Sequence, residues 1–335
     1  MSRTPMHAPS SARTPRRVVV TGAAGFIGSH LTEALLDAGA MIIAVDRREP
    51  RTDPIAAANL SGIIDRPGLV YITADLRTCA IEPLLIDADA VFHLAAIPGV
   101  RHSWGHEFGD YVASNLLATQ RLMTAAVHLR VPRVVIASSS SIYGPAGSHC
   151  TEETPPHPAS PYGVTKLAAE QLALAHAARP EAVTKVAALR YFTVYGPRQR
   201  DDMFINRVLN AALGGPPVRI YGGADRRRDF TFVADIVAAT MAAAGASGHS
   251  EVMNVGSGTN ASLADVIRLA EQLTGTAVPV VQGTARDGDV PATLADTRRA
   301  RSELGWRPQT DLVAGMTQQL NWLTALPSRN QVAAS

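Results

Sequence analysis

The stretch Arg17-Val-Val-Val-Thr-Gly-Ala-Ala-Gly-Phe-Ile-Gly28 decides the fold. Its first five residues are a short, mostly β-branched run that reads as a strand buried on both faces. Glycines follow at 22, 25 and 28, and an apolar periodic segment runs from Phe26 to Ala38 until Gly39 stops it. Strand, glycine turn and helix in this order suit a dinucleotide. Glycine lets the backbone approach a pyrophosphate, and the new helix offers it unpaired N–H groups and a positive dipole end. A glycine turn also serves where nothing binds, so the context matters. Asp46 closes the next apolar run 18 residues after Gly28, where a carboxylate accepts from ribose hydroxyls and repels a 2′-phosphate. NAD is therefore expected rather than NADP, with Arg47 and Arg48 as the contrary signal. Asp75, at the end of the run Leu69 to Ala74, suits the adenine edge or caps a turn.

The rhythm continues outward. Apolar runs at Ala90 to Ala96, Arg133 to Ala137 and Val183 to Phe192 alternate with helical patterns at about 111–130 and from Ser160-Pro161 to Ala178, a cap residue followed by proline at the first helical position. The expectation is an α/β protein with a doubly wound parallel sheet of the Rossmann type over 17–193. Glycine and proline then punctuate shorter elements, with helices expected near 203–213, 233–246, 262–274 and 312–326. This second part, 194–326, reads as a smaller α/β substrate lobe, and Val252 to Val255 is placed to return to the sheet. Residues 1–16, with Arg3, Arg13 and Arg16 and no acid, read as a flexible arm, and 327–335 as a tail.

Composition narrows the function. Of 335 residues, 31 are Lys or Arg and 29 Asp or Glu, a formal charge of +2, too balanced for affinity resting on many phosphate contacts, so nucleic acid is not an expected partner. No stretch of 18 apolar residues predicts a membrane span. The two cysteines, Cys79 and Cys150, carry no CxxC or Cys/His spacing; neither a disulfide framework nor a metal site is expected, and a reducing, cytoplasmic setting is. His93 at a strand end reads as a satisfied core histidine.

Tyr162-Gly-Val-Thr-Lys166 sets a phenol and an ammonium four residues apart on one helix face. Tyrosine, with an ordinary pKa near 10, is a poor base at neutral pH, but nearby positive charge favours the phenolate. The serine run Ser138 to Ser141, at the end of the preceding strand, can present hydroxyls to an oxygen on a reacting carbon or simply cap turns.

As an ordered set, Thr21-Gly-Ala-Ala-Gly-Phe-Ile-Gly28, His93-Leu-Ala-Ala96, Ser138-Ser-Ser-Ser-Ile-Tyr-Gly144, Tyr162-Gly-Val-Thr-Lys166, Arg190-Tyr-Phe-Thr-Val-Tyr-Gly-Pro197 and Arg228-Asp-Phe230 resemble the extended short-chain dehydrogenase/reductases, in particular the nucleotide-sugar 4-epimerases, over roughly residues 17 to 326. The resemblance implies that NAD stays bound, that Tyr162 deprotonates a sugar 4-hydroxyl, and that a 4-keto sugar turns over to receive hydride on its other face. It implies that Lys166 holds the nicotinamide ribose and that Ser139, Ser140 and Ser141 cover the reacting oxygen. It extends the cofactor set to Phe26, Ile27, Arg47, Leu76, Leu94, Ala95, Ala96 and Tyr191. A UDP-sugar is expected against Arg101, Thr193, Tyr221, Arg228 and Arg286, the last two on its diphosphate. Ala-rich faces on the two helices at 111–130 and 160–178 suggest a homodimer or plain core packing.

Dehydratases of this kind carry Asp-Glu, and uronate decarboxylases Glu, where this chain has Ser140-Ser141, which favours epimerisation. Tyr195-Gly-Pro-Arg198-Gln-Arg200-Asp-Asp-Met203 looks like the uronate-handling branch, with Arg198 the candidate for the C5 carboxylate; the alternative is that Arg198 and Arg200 merely meet diphosphate or solvent. A charge-assisted bond of about 1.5–3 kcal/mol suffices for a roughly tenfold to hundredfold preference for an acid. The expected substrate pair is UDP-glucuronate and UDP-galacturonate. The alternatives are a UDP-glucose/UDP-galactose 4-epimerase, a UDP-glucuronate decarboxylase and a catalytically silent NAD-binding regulator.

Overall fold

The computed structural model describes residues 15–145, 149–246, 248–284 and 287–326. Most of the arm, all of the tail and Arg286 therefore lie outside the described residues. The strands are β1 (Arg17–Thr21), β2 (Met41–Asp46), β3 (Leu69–Thr73), β4 (Ala90–His93), β5 (Arg133–Ser139), β6 (Lys185–Tyr191), β7 (Thr193–Tyr195), β8 (Val218–Tyr221), β9 (Arg227–Arg228), β10 (Phe230–Phe232), β11 (Glu251–Val255), β12 (Ala261–Ser262) and β13 (Val280–Gly283).

Seven of them form one parallel sheet in the order β11-β6-β5-β4-β1-β2-β3. The continuous apolar runs have the reason expected of them. Val18 and Val20 pack into one core, Val19 into the other, and all three are fully buried. Helices Phe26–Asp37 and Val233–Gly245 cover the first face; Ala118–His128 and Pro161–Ala177 cover the second. The strand at 251–255 does return to the sheet, pairing with β6, so the chain beyond 194 completes the first layer as well as building the second lobe. In that lobe β7 pairs with β10, β8 with β13 and β9 with β12. The buried Asp229 carboxylate locks its centre by accepting from Ser257 N (2.7 Å) and Oγ (2.8 Å), Thr231 Oγ1 (3.0 Å) and Ala295 N (3.0 Å).

The helix expected over 111–130 is interrupted. Phe108–Tyr111 leads into a π-helical turn, Val112–Leu117, before Ala118–His128 resumes. Within that wide turn the Asn115 amide bonds both backbone groups of Ile97 (2.7 and 3.0 Å) and Thr165 Oγ1 (3.1 Å), fastening the loop after β4 to the neighbouring helix. Widened turns of this kind often mark functional sites.

His93 closes β4 as a satisfied histidine. Thr119 donates to Asn115 O (2.7 Å), so Nε2 of His93 donates to Thr119 Oγ1 (2.9 Å) and Nδ1 accepts from Thr21 Oγ1 (2.8 Å). Burial lowers this imidazole from 6.5 to about 3, leaving it neutral. In the unfolded chain it protonates at its ordinary value, so stability present above pH 6.5 falls as the pH drops towards 3. Urea titrations at pH 7, 6 and 5 are expected to show a shallower loss of stability for His93→Gln than for the parent chain.

Candidate active site

The turn after β1 is shaped by contacts only glycine permits. Gly22 has φ +72°, and a Cβ there would lie 2.8 Å from the backbone nitrogen of Ala95. At Gly28 a Cβ would lie 2.0 Å from the Gly22 carbonyl oxygen. Helix Phe26–Asp37 thus starts hard against the turn; its cap, Gly25, supplies no side-chain bond and its first turn carries no acid, leaving N–H groups and dipole to an anion. Phe26 and Ile27 are partly buried beside it. Asp46 accepts from Ala24 N and Arg48 N, both at 3.1 Å, so the carboxylate that closes β2 is tied to the turn. This cradle fits a dinucleotide with free ribose hydroxyls.

The rest of the expected cofactor wall is mixed. Leu94 N donates to Thr21 O (3.2 Å) and Ala95 N to Thr21 Oγ1 (3.3 Å), bringing these residues and Ala96 to the end of β1. Arg47 is exposed. Asp75 is engaged by Arg77 through its backbone N–H (2.9 Å) and guanidinium, which holds the carboxyl below its ordinary range. The Leu76 carbonyl accepts from Arg121. Tyr191 is buried in the core with its hydroxyl 2.7 Å from Thr240 Oγ1, committed to packing beneath helix Val233–Gly245.

Ser160 caps the helix Pro161–Ala177 by accepting from Gly163 N (3.1 Å). Gly163 allows this helix to press on the serine turn, since a Cβ there would lie 2.6 Å from the Ser141 carbonyl oxygen. As a result the Tyr162 side chain comes close to Ser139, which accepts from Ser141 N (3.1 Å), with half-buried Ser140 and Ser141 beside it. Burial pushes the phenol above its ordinary value, opposed by the Ser139 hydroxyl and then by the positive charge of Arg200. Tyr111 packs edge-on to the same ring at 6.2 Å. One turn on, buried Lys166 donates to the Ala137 carbonyl, and burial lowers its ammonium to about 8 against the pull of Glu170.

Behind the pair lies a network the sequence reading missed. Glu170, fully buried, accepts from Ser138 Oγ (2.6 Å) and from Arg190 Nε (3.0 Å) and Nη2 (2.6 Å); Arg190 Nη1 also donates to Tyr143 OH (2.8 Å). An acid on the apolar face of a helix, four residues after the lysine, was the available signal.

The loop after β7 sends consecutive side chains three ways. Arg198, at φ +63°, donates to Glu33 Oε2 (2.7 Å) on the first helix, next to where His30 Nε2 bonds Pro197 O (2.8 Å). Gln199 is buried, bonded to Val194 O, Asn206 and Gln319. Arg200 makes two bonds to Asp202 (2.8 and 2.9 Å) and carries the charge that acts on Tyr162. Of the two arginines, Arg200 lends its charge to the phenol, while Arg198 is paired with Glu33 on the first helix. In the second lobe Thr193 N donates to Asp229 O (2.9 Å), Arg101 lies over the Tyr221 ring at 4.6 Å, and Arg228 Nη1 donates to Arg227 O (2.8 Å).

A model of the NAD dependent epimerase/dehydratase family matches residues 18–256. The chain belongs to that family. Among similar proteins of this family, MoeE5, solved in complex with UDP-glucuronic acid and NAD, is 48% identical with a TM-score of 0.86 over 92% of this chain and 99% of that one. The UDP-glucuronic acid 4-epimerase from Bacillus cereus, solved with UDP-glucuronic acid and NAD, is 35% identical with a TM-score of 0.88 over 93% and 100%. An uncharacterized UDP-glucose epimerase, YtcB of Bacillus subtilis (strain 168), is 38% identical over 92% of this chain and 98% of its own length. The cofactor of this epimerase-family chain is NAD. Gly28→Ala is expected to abolish NAD binding, read by calorimetry, because the added methyl drives the helix off the turn that receives the pyrophosphate.

Proposed function

We propose that the protein interconverts UDP-glucuronate and UDP-galacturonate by inversion at C4 through a 4-keto intermediate. The observation that carries this reading is the packing of the helix Pro161–Ala177 on the serine turn after β5, which sets Tyr162 and Lys166 against the end of that strand, with the Arg200–Asp202 pair on the loop after β7. Bound NAD supplies a hydride acceptor and donor and, in its oxidised form, positive charge.

The chain's own residues supply the proton chemistry and the grip. Tyr162 Oη takes the 4-hydroxyl proton and returns it, and the neighbouring Ser139 hydroxyl keeps the oxygen in register. Because burial favours the neutral phenol, the positive charge of Arg200 and of the oxidised cofactor is needed to free the base. Lys166, whose ammonium donates to the Ala137 carbonyl, would hold the cofactor's ribose. Neither Ser140 nor Ser141 can serve as the acid or base that removal of water from the sugar requires.

Arg200 takes the role first assigned to Arg198. Arg198 is held by Glu33, whereas the bond pair from Arg200 to Asp202 is a carboxylate contact that a sugar carboxylate can replace in kind. Held this way, the C5 carboxylate keeps its breaking bond out of line with the 4-keto group, and the β-keto acid keeps its carbon dioxide. Turnover of neutral UDP-glucose is a second reading, supported by the MoeE5 structure that holds UDP-glucose and NAD.

Incubation with UDP-glucuronate, followed by NMR, is expected to yield UDP-galacturonate; UDP-pentose as the product rejects the reading. Tyr162→Phe is expected to lose roughly 100-fold to 10,000-fold in kcat while still binding NAD. Arg200→Ala is expected to lose about tenfold or more in kcat/KM on UDP-glucuronate with a smaller loss on UDP-glucose, and Arg198→Ala to show no such split.

Among the described residues no helix is long and apolar enough to cross a membrane. Both cysteines are free, which supports action in the reducing cytoplasm. Exposed Leu117, at the end of the π-helical turn, and exposed Val164, on the helix Pro161–Ala177, support a homodimer joined there. Light scattering is expected to give twice the chain mass, and Val164→Arg the single mass.

A further inference from the structure

Three guanidinium groups gather at the end of β8, brought from distant segments. Arg101 comes from the loop after β4 and lies over Tyr221. Arg228 comes from β9 and spends Nη1 on the carbonyls of Arg227 (2.8 Å) and Pro291 (3.4 Å). Burial holds its guanidinium below the ordinary value; Asp289 opposes this, while Arg226 and Arg101 push the same way. Arg226 is the third. Its guanidinium lies flat against Gly222, where a Cβ would meet Nη2 at 2.5 Å.

Arg226 keeps a donor unused. It forms a long ion pair with Asp289 (3.6 Å), and its buried Nη1 has no hydrogen-bond partner among the described residues. Its side chain is only 18% exposed. A cation taken out of water with a donor unused is costly, and two like charges nearby raise that cost. The cost is recovered when an anion enters with several acceptor oxygens, and the planar fork of arginine matches phosphate oxygens in pairs.

We propose that Arg226 is a phosphate ligand of the substrate's nucleoside diphosphate, adding a third guanidinium to those of Arg101 and Arg228. The proposal rests on the nucleotide-sugar reading above and deepens it. Neither glycine geometry nor the catalytic helix requires an arginine at 226, so the residue sets how strongly the site prefers two phosphates to one. Arg226 touches no reacting atom in this scheme and acts on binding.

Calorimetry on the full chain with UDP, UMP and uridine tests it, with Arg226→Met and Arg226→Lys beside the parent and a thermal melt for each. Arg226→Met is expected to weaken UDP by about tenfold or more, UMP by less and uridine not at all. KM for the UDP-sugar is expected to rise with the UDP dissociation constant while kcat holds. Arg226→Lys, which keeps the charge without the fork, is expected to fall between, and it carries the test should the methionine variant fold poorly. Unchanged UDP affinity in a folded variant overturns the proposal. So does an equal loss for uridine, because Arg226 would then act through Asp289 on the nucleoside. A parent chain that ignores UDP overturns the nucleotide-sugar reading itself.

Discussion

The carboxylate of Glu170, buried behind the reacting face, holds the site in register. Ser138 on β5 and Arg190 on β6 both bond it, and it stands on the helix that carries Tyr162 and Lys166. Removing two charges from water is expensive, and an ion pair of this kind offsets the expense only where its lone pairs are nearly all used. Here Arg190 reaches on to Tyr143, and Tyr143 to Asn254 Oδ1 (2.7 Å) on β11. Four elements are thereby fixed to one another within about a hydrogen bond's tolerance. That stiffness is what proton transfer asks for, because the hydroxyl of Ser139 and the phenol of Tyr162 come from different elements and must meet.

The same logic governs the loop after β7. A residue in the left-handed region is strained unless its surroundings over-determine it, and Arg198 at φ +63° is held by Glu33 on one side and by the bonds of its neighbour Gln199 on the other. The strain turns successive side chains apart, so one short segment contacts the dinucleotide helix, the second lobe and the environment of the phenol. The chain after 194 shares one apolar core with the sheet, from Val18 and Val20 through to Leu209 and Met316, and is knit further by the bonds of buried Asp229.

Electrostatics also divides by location. At the phenol, burial works against the charged form, and positive charge has to be supplied from the side. At the nucleotide end cations are in surplus, with Arg101, Arg226 and Arg228 facing Asp289.

Local chemistry alone determined much of this protein. The glycine spacing at 22, 25 and 28 dictates a turn that admits no Cβ, the two-sided apolar runs dictate a parallel sheet, and a cap followed by proline at 160–161 dictates where the helix of Tyr162 and Lys166 begins; each depends on neighbours within a few residues, so each was legible in the string. The tertiary structure alone decided which polar groups pair across long separations. Arg198 goes to Glu33, 165 residues away, and Arg190 to Glu170; Asn115 reaches Ile97 through a π-helical turn that no apolar period announces. The hydroxyl of Tyr191 meets Thr240, 49 residues on. Such partners are chosen by burial, since a polar group removed from water bonds whatever the packing brings within reach, and packing is a property of the whole chain.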